Sequence, residues 1–329
     1  MVRRRLSEPF AAAWGTVSER ELVLVRLEDG SGAAGFGEAA PLAGYGSGLE
    51  EVLAGLERAR EALADADSDA ARQKLSGVSI PPEALAALDV ALWDLSCRRV
   101  GAPLWRQLSA PFAPDVLVNA TLAGSDAVEA RRCRAAGFRC IKVKVGLGDD
   151  FERVAAVRRA VGQDVAIRID ANGAWSVDEA VAALASLERF EIELCEEPVH
   201  GLEAIARVAS AASVPIAIDE SAALEGALAR RVCDAACLKV ARCGGISGLL
   251  SAAARAREAG YRVYLASTLD GPLGIAAALH AAAVVRPELA CGLATLSMFD
   301  RAHPLGAPAE RLRPPPGPGL GAGLVEWYR

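Results

Sequence analysis

From about residue 115 onward, short apolar runs rich in β-branched residues alternate with longer Ala-rich stretches whose apolar positions recur at helical spacing. The runs span 116–121, 140–145, 165–170, 192–196, 215–219, 235–240, 262–267 and 289–294. Their ends are roughly 20–28 residues apart, the period of repeated strand–helix units. Eight such runs with seven intervening helices predict a parallel barrel. The first part of the chain reads differently. An apolar run at 22–27, turn residues at 28–32 and a second run at 33–39 predict a hairpin. Helical patterns occupy 49–64 and 82–98. In the second, Leu85, Leu88, Leu92 and Leu95 mark one face, and Pro81-Pro82 suits a helix start. The Pro-rich stretch from Pro314 cannot be helical. The expected architecture is α/β: an α+β capping domain over 1–112, a modified (β/α)7β barrel over 113–300, and a tail over 301–329 returning to the cap.

Composition narrows the functional classes. The 329 residues carry 36 Lys plus Arg against 42 Asp plus Glu, a net charge of −6. That balance argues against a nucleic-acid partner, because neutralising phosphates needs a basic face. Hydrophobic residues at 52% supply a large core, and with aromatics at only 5% it is built mainly from Ala, Val, Leu and Ile. Eight cysteines contain no CxxC pair, so buried reduced thiols are expected rather than a zinc site or a disulfide scaffold. The basic start Met1-Val-Arg-Arg-Arg imitates a signal sequence. Ser7, Glu8 and Pro9 interrupt the apolar stretch behind it, and no uncharged run approaches a membrane span. A cytoplasmic protein without a membrane partner is expected, with self-association left open.

The candidate chemistry is positional. Lys142 and Lys144 end the second barrel run, Asp170 the third, Glu196 and Glu197 the fourth, Asp219 and Glu220 the fifth, and Lys239 the sixth. Barrels build their active sites at these strand ends. Asp170, Glu196 and Asp219 come from adjacent strands, and three crowded carboxylates stay ionised only beside a cation. All-oxygen ligation suits a hard ion such as Mg²⁺. Lys142 and Lys144, at i and i+2, emerge on one strand face, where crowding is expected to depress their pKa and free one as a general base. Lys239 faces them from across the barrel. Salt bridging alone, a Schiff base on Lys239, or a non-catalytic binding barrel are the competing readings.

These residues, Lys142-x-Lys144, Asp170-x-Asn172, Glu196-Glu197-Pro198, Asp219-Glu220-Ser221 and Lys239, resemble the enolase superfamily and its muconate-lactonizing-enzyme subgroup. Gly35-Phe-Gly-Glu-Ala-Ala-Pro41 resembles that family's cap, so the likeness spans nearly the whole chain. The resemblance implies Mg²⁺, with Mn²⁺ able to replace it, on Asp170, Glu196 and Asp219. It implies Lys144 and Lys239 on either side of the reacting carbon, Lys142 tuning Lys144, and Asn172 and Glu220 behind the metal ligands. The implied reaction removes a proton α to the carboxylate of a small substrate through an enediolate. The outcome is then dehydration, racemisation or epimerisation, or muconate-type cycloisomerisation.

Within the subgroup, dipeptide epimerases carry Asp-x-Asp near the eighth strand end to grip an ammonium group. Here Cys291-Gly-Leu-Ala-Thr-Leu-Ser-Met-Phe299 has no acid before Asp300 and resembles the Gly-Leu-x-Thr-Leu segment of o-succinylbenzoate synthases. Similar synthases also have Arg two residues before the first metal-ligand Asp, as Arg168 stands here, so either a second substrate carboxylate or a barrel-core partner, Glu196 or Asp170, is expected there. An o-succinylbenzoate synthase activity, part of menaquinone synthesis, is the leading expectation, with N-acylamino acid racemase or dipeptide epimerase as the alternative. Trp14 and Thr16, in the turn after the first strand, are expected in a substrate-covering loop, and residues 44–48 over the barrel mouth.

Overall fold

The computed structural model describes the chain except residues 64–67, 125–126 and 307–308. The cap opens with three antiparallel strands in the order β1 (Val2–Ala12), β2 (Gly15–Glu28) and β3 (Ala34–Ala39). The expected hairpin is β2–β3, paired from Val23–Ala39 to Glu28–Ala34. In β1, Leu6, Phe10 and Ala12 are buried, and a register shift between Arg5 and Phe10 bends the strand. Two helices match the sequence pattern, α1 (Leu49–Leu63) and α3 (Pro82–Arg99), although the expected last residue of the first, Ala64, lies outside the described residues. A further helix, α2 (Ser68–Ser76), has no counterpart among the expected elements, because its charged sequence lacks a clear apolar stripe. The string Gly35-x-Gly37 seats the sheet against α3: a Cβ on Gly37 would collide with the Ala87 carbonyl oxygen. The short helix α4 (Leu104–Gln107) leads out of the cap.

The barrel sheet runs in parallel order through β5 (Ala120–Thr121), β6 (Cys140–Lys144), β7 (Ala166–Asp170), β8 (Ile192–Glu196), β9 (Ile216–Ile218), β10 (Ala235–Leu238) and β11 (Arg262–Leu265). The first run is split. Its leading half, β4 (Val116–Leu117), pairs instead with β12 (Arg311–Leu312) of the tail. The eighth run forms no strand but closes the ring through single bridges, Cys291 to Val118 and Gly292 to Ala266. Helices α5 (Ala127–Ala135), α6 (Asp150–Val161), α7 (Val177–Leu187), α8 (Leu202–Ala211), α9 (Ile246–Glu258) and α10 (Pro272–Val285) wrap the sheet. Ser176 and Glu179 start α7 with a reciprocal capping box.

One expected helix is missing. Between β9 and β10 only the 3₁₀ turn Glu220–Ala223 forms, and Gly226, at φ +77°, breaks the Ala-rich segment behind it. The tail contacts the barrel through β12 and then the cap side, where the Leu320 amide donates to Asp94 Oδ1 at 2.7 Å and Arg4 donates to the Trp327 carbonyl at 2.8 Å. Among the described residues, no helix is long and apolar enough to cross a membrane. All eight cysteines are free thiols.

Candidate active site

Register brings the charged strand ends into one layer: Lys144 pairs with Asp170, Asp170 with Glu196, and Glu196 with Ala217. Strand alternation sends Lys142 and Lys144 into the barrel and Ile141 and Val143 toward the helices. The Lys142 ammonium reaches Asp170 Oδ2 at 2.7 Å and Glu196 Oε2 at 2.5 Å. Lys144 Nζ donates to Asp170 Oδ2 at 2.7 Å and to Asn172 Oδ1 at 2.6 Å. Asn172 Nδ2 then donates to Glu220 Oε1 at 2.8 Å. Across the barrel, Lys239 donates to Asp219 and to the Tyr45 hydroxyl, which itself donates to Asp219 Oδ1 at 3.0 Å. All of these charged groups but Glu220 are buried, and Glu220 is half-buried.

Burial in company sets their protonation. Burial raises the Asp170 carboxyl, but Lys142 and Lys144 outweigh it and hold it well below the usual range. Glu196 goes up, from burial and from neighbouring Asp170 and Asp219, against the pull of Lys142. Glu220 is pushed up to about 8 by burial, Asp219 and Asp170. The expectation of a depressed Lys142 is not met. Burial lowers its ammonium, yet Asp170, Glu196 and Asp219 outweigh burial and raise it, and Lys239 is raised likewise by Asp219. With that negative charge taken up by a divalent cation, the same burial acts downward.

The donor set fits such an ion. Carboxylate oxygens of Glu196 and Asp219 lie with Cys237 Sγ within 4.8 Å of one another, and Asp170 shares the Lys142 ammonium with Glu196. Burial holds the Cys237 thiol far above its ordinary pKa, which leaves the oxygens as the hard donors. Backbone strain gathers at the same rim: Asn172, Glu197 and Leu269 adopt φ of 45°, 38° and 58°.

The cavity above these groups is about 60 Å³, with Phe10, Trp14 and Tyr45 on the cap side and Ser267, Thr268 and Thr295 on the far wall. The Trp14 and Tyr45 rings meet edge-on with centroids 6.3 Å apart. Two expected residues stand elsewhere. Thr16 is exposed in an outer groove of the cap, because it follows the turn that carries Trp14 inward. Arg168 points toward the barrel floor, donating to Glu193 Oε2 at 2.5 Å and to the Ala290 carbonyl at 2.6 Å, with its guanidinium 5.2 Å from the Tyr264 ring. It does not line the cavity.

The cap and barrel segments each match a family. Residues 1–108 match the mandelate racemase / muconate lactonizing enzyme N-terminal domain, and residues 125–327 the enolase C-terminal domain-like family. The chain belongs to the mandelate racemase/muconate lactonizing enzyme family of the enolase superfamily. Its relatives in that family differ in activity. An o-succinylbenzoate synthase of Thermobifida fusca is 34% identical over 91% of this chain and 82% of its own. A dipeptide epimerase from Cytophaga hutchinsonii, solved with Mg and D-Ala-L-Val, superposes at a TM-score of 0.90, with 28% identity over 98% of this chain and 93% of that one. The N-succinyl Arg/Lys racemase from Bacillus cereus superposes at 0.91, with 26% identity over 99% and 94% of the two chains.

Two residues of this family member escaped the sequence reading. Glu197 is fully buried and accepts from the Asp219 amide at 2.8 Å, the Ser221 amide at 3.1 Å and the Ser221 hydroxyl, so it fixes how β9 presents Asp219. Glu196 was read as the inward carboxylate of the Glu-Glu pair, but nothing in the sequence gave Glu197 a role of its own. Tyr45 was visible only as part of a Gly-rich loop; its reach to Asp219 and Lys239 depends on how cap and barrel dock.

Proposed function

We propose that the protein catalyses Mg²⁺-dependent removal of a proton α to a carboxylate and that its substrate carries no free amino group, with o-succinylbenzoate synthesis by syn dehydration as the first reading. The observation that carries this reading is the far wall. Where a free ammonium would need a carboxylate, the cavity offers the hydroxyls of Ser267, Thr268 and Thr295, with Ser267 Oγ and Thr295 Oγ1 hydrogen-bonded at 2.7 Å. Asp270 stands behind that wall, not in the lining, and accepts from the Thr268 amide at 3.1 Å and hydroxyl at 2.5 Å; the next acid after Thr295, Asp300, is exposed and its amide is tied to the Arg5 carbonyl.

Asp170, Glu196 and Asp219 would hold Mg²⁺, or Mn²⁺ in its place. When bound, the ion supplies Lewis-acid stabilisation to the charge that develops on the substrate carboxylate. Lys144 Nζ takes the α-proton and returns it to the departing hydroxide. Lys239, from the opposite wall, holds the anion by its positive charge, and Tyr45 and Trp14 exclude water from above. The same opposed lysines also suit one-base, other-acid inversion of an N-acylamino acid, which is the second reading.

¹H NMR in D₂O with Mg²⁺ separates the two. Aromatisation of the cyclohexadiene precursor supports the synthase. α-Deuteration of N-succinyl amino acids without aromatisation moves the protein to the racemases, and turnover of free-amino dipeptides alone overturns the proposal.

A further inference from the structure

In the polar stretch Ser18-Glu19-Arg20-Glu21 of β2, Ser18 and Glu19 are exposed, yet Arg20 is only 2% exposed. Its guanidinium is spread over two segments of the cavity rim. Nη1 donates to the Pro41 carbonyl at 2.6 Å and Nη2 to the Ala40 carbonyl at 3.1 Å, where β3 ends and the cap loop begins. Nε donates to the Leu269 carbonyl at 3.4 Å, in the barrel loop after β11. Both segments line the cavity, the first through Leu42 and Tyr45 and the second through Thr268 and Leu269, whereas Arg20 itself does not.

The two segments meet nothing else that holds both. Leu269 has φ 58°, a left-handed conformation that costs a leucine energy and persists only where the surroundings fix it. Farther along its loop, the Gly271 amide is held by Glu38 Oε1 at 2.8 Å and the Leu273 amide by the Tyr328 hydroxyl at 3.0 Å. The cap loop turns through a bond from the Gly46 amide to the Leu42 carbonyl at 2.8 Å, and Glu83 holds its far end through the Ser47 amide at 3.3 Å. Arg20 holds its near end. A planar guanidinium with donors on three nitrogens serves carbonyls on both segments at once, which the single nitrogen of an ammonium cannot do. We propose that Arg20 is a positioning residue for substrate binding: it braces the cap loop that carries Tyr45 against the barrel loop that carries Thr268 and Leu269, and so sets the width of the cavity between them. The assignment rests on the proposed function in one respect, that the substrate is bound in this cavity. Lys144 and the three carboxylates stand on or directly after barrel strands that Arg20 does not touch, so loss of the brace falls on binding rather than on the chemical step. The buried carboxylates of Glu38 and Asp270 also act on the Arg20 charge, and a role in charge balance alone is the alternative to be separated.

The test uses the full chain with Mg²⁺ as wild type, Arg20→Lys and Arg20→Met. Arg20→Lys keeps the charge beside Glu38 and Asp270 but loses the span, and Arg20→Met loses both. Deuterium uptake at backbone amides, followed by mass spectrometry, is expected to quicken about tenfold in residues 40–48 and 266–273 of both variants and to stay unchanged in β6, β7 and β8. KM for the cyclohexadiene precursor or N-succinyl-leucine, whichever the wild type turns over, is expected to rise about tenfold in both variants, with kcat unchanged within about threefold. Wild-type uptake and KM in Arg20→Lys would assign the residue to charge balance and overturn the brace. Faster uptake confined to one of the two segments, or spread evenly over the chain, overturns it as well, and unchanged KM overturns the role in binding. If Arg20→Met does not fold, Arg20→Lys decides by the same readings. A wild type inert toward both compounds overturns the reaction proposed above, and deuterium uptake then decides the brace alone.

Discussion

Lys142 and Arg168 are register partners on β6 and β7, yet their long side chains part company: one reaches the carboxylates at the rim, the other the barrel floor. Strand parity made both legible as inward residues. It did not say which way along the barrel a flexible side chain leans, and the acceptors decided that. Glu193 and the Ala290 carbonyl claimed Arg168. Arg168→Met is therefore expected to cost about 2 kcal/mol or more in urea unfolding, since it strips a buried carbonyl of its donor, while leaving KM for a dicarboxylate substrate unchanged. Lys144→Ala is expected to act on the reaction. Its loss should slow α-proton exchange by at least about 10²-fold, read by ¹H NMR in D₂O. The charged strand ends were readable because alternation and strand termini fix them together. Tyr45 and Glu197 were not, because a loop hydroxyl and the second acid of a pair acquire roles only through docking.

Elements were legible where one periodicity dominated. Both cap helices with apolar faces, the paired part of the β2–β3 hairpin and six of the eight barrel runs emerge as read, within a residue or two at their ends, while β2 itself starts seven residues before the expected run. The first and eighth runs do not, because closing the ring uses only single bridges there and the tail captures β4. The absent helix between β9 and β10 was hidden by its Ala-rich composition, which favours helix until Gly226 turns the chain. At the cap, the glycines at 35 and 37 serve close sheet–helix packing. Gly37→Ala must lift β3 from α3 and is expected to lower stability by about 2 kcal/mol, read as a shifted unfolding midpoint.

On the scale of the molecule, cap, barrel and tail share buried polar joints that no local pattern announces. Tyr328 of the tail donates to Glu38 of β3, whose other oxygen accepts from the Gly271 amide at 2.8 Å beside the cavity wall. His280, inside α10, links α4 to the tail: Nδ1 accepts from the Trp105 amide at 3.2 Å, and Nε2 lies 3.2 Å from the Leu320 carbonyl. Burial lowers this imidazole from 6.5 to about 4. It stays neutral in the fold while the unfolded chain takes up a proton, so its contribution is complete above pH 6.5 and is lost as pH falls toward 4. That loss is about 3 kcal/mol. His280→Gln is expected to flatten this part of the stability–pH profile in denaturant titrations.

Lys144 and Lys239, set against three buried carboxylates, are proposed to move a proton at the carbon beside a substrate carboxylate. The measurement that tests this most directly is hydrogen exchange tracked by ¹H NMR in D₂O, with N-succinyl amino acids and the cyclohexadiene precursor, for the wild type, Lys144→Ala and Lys239→Ala, each with Mg²⁺ and after chelation. Wild type with Mg²⁺ is expected to show exchange or aromatisation, and either variant a reaction at least about 10²-fold slower. No reaction is expected after chelation. Turnover that survives loss of either lysine undiminished, or that proceeds undiminished in chelator, would contradict it.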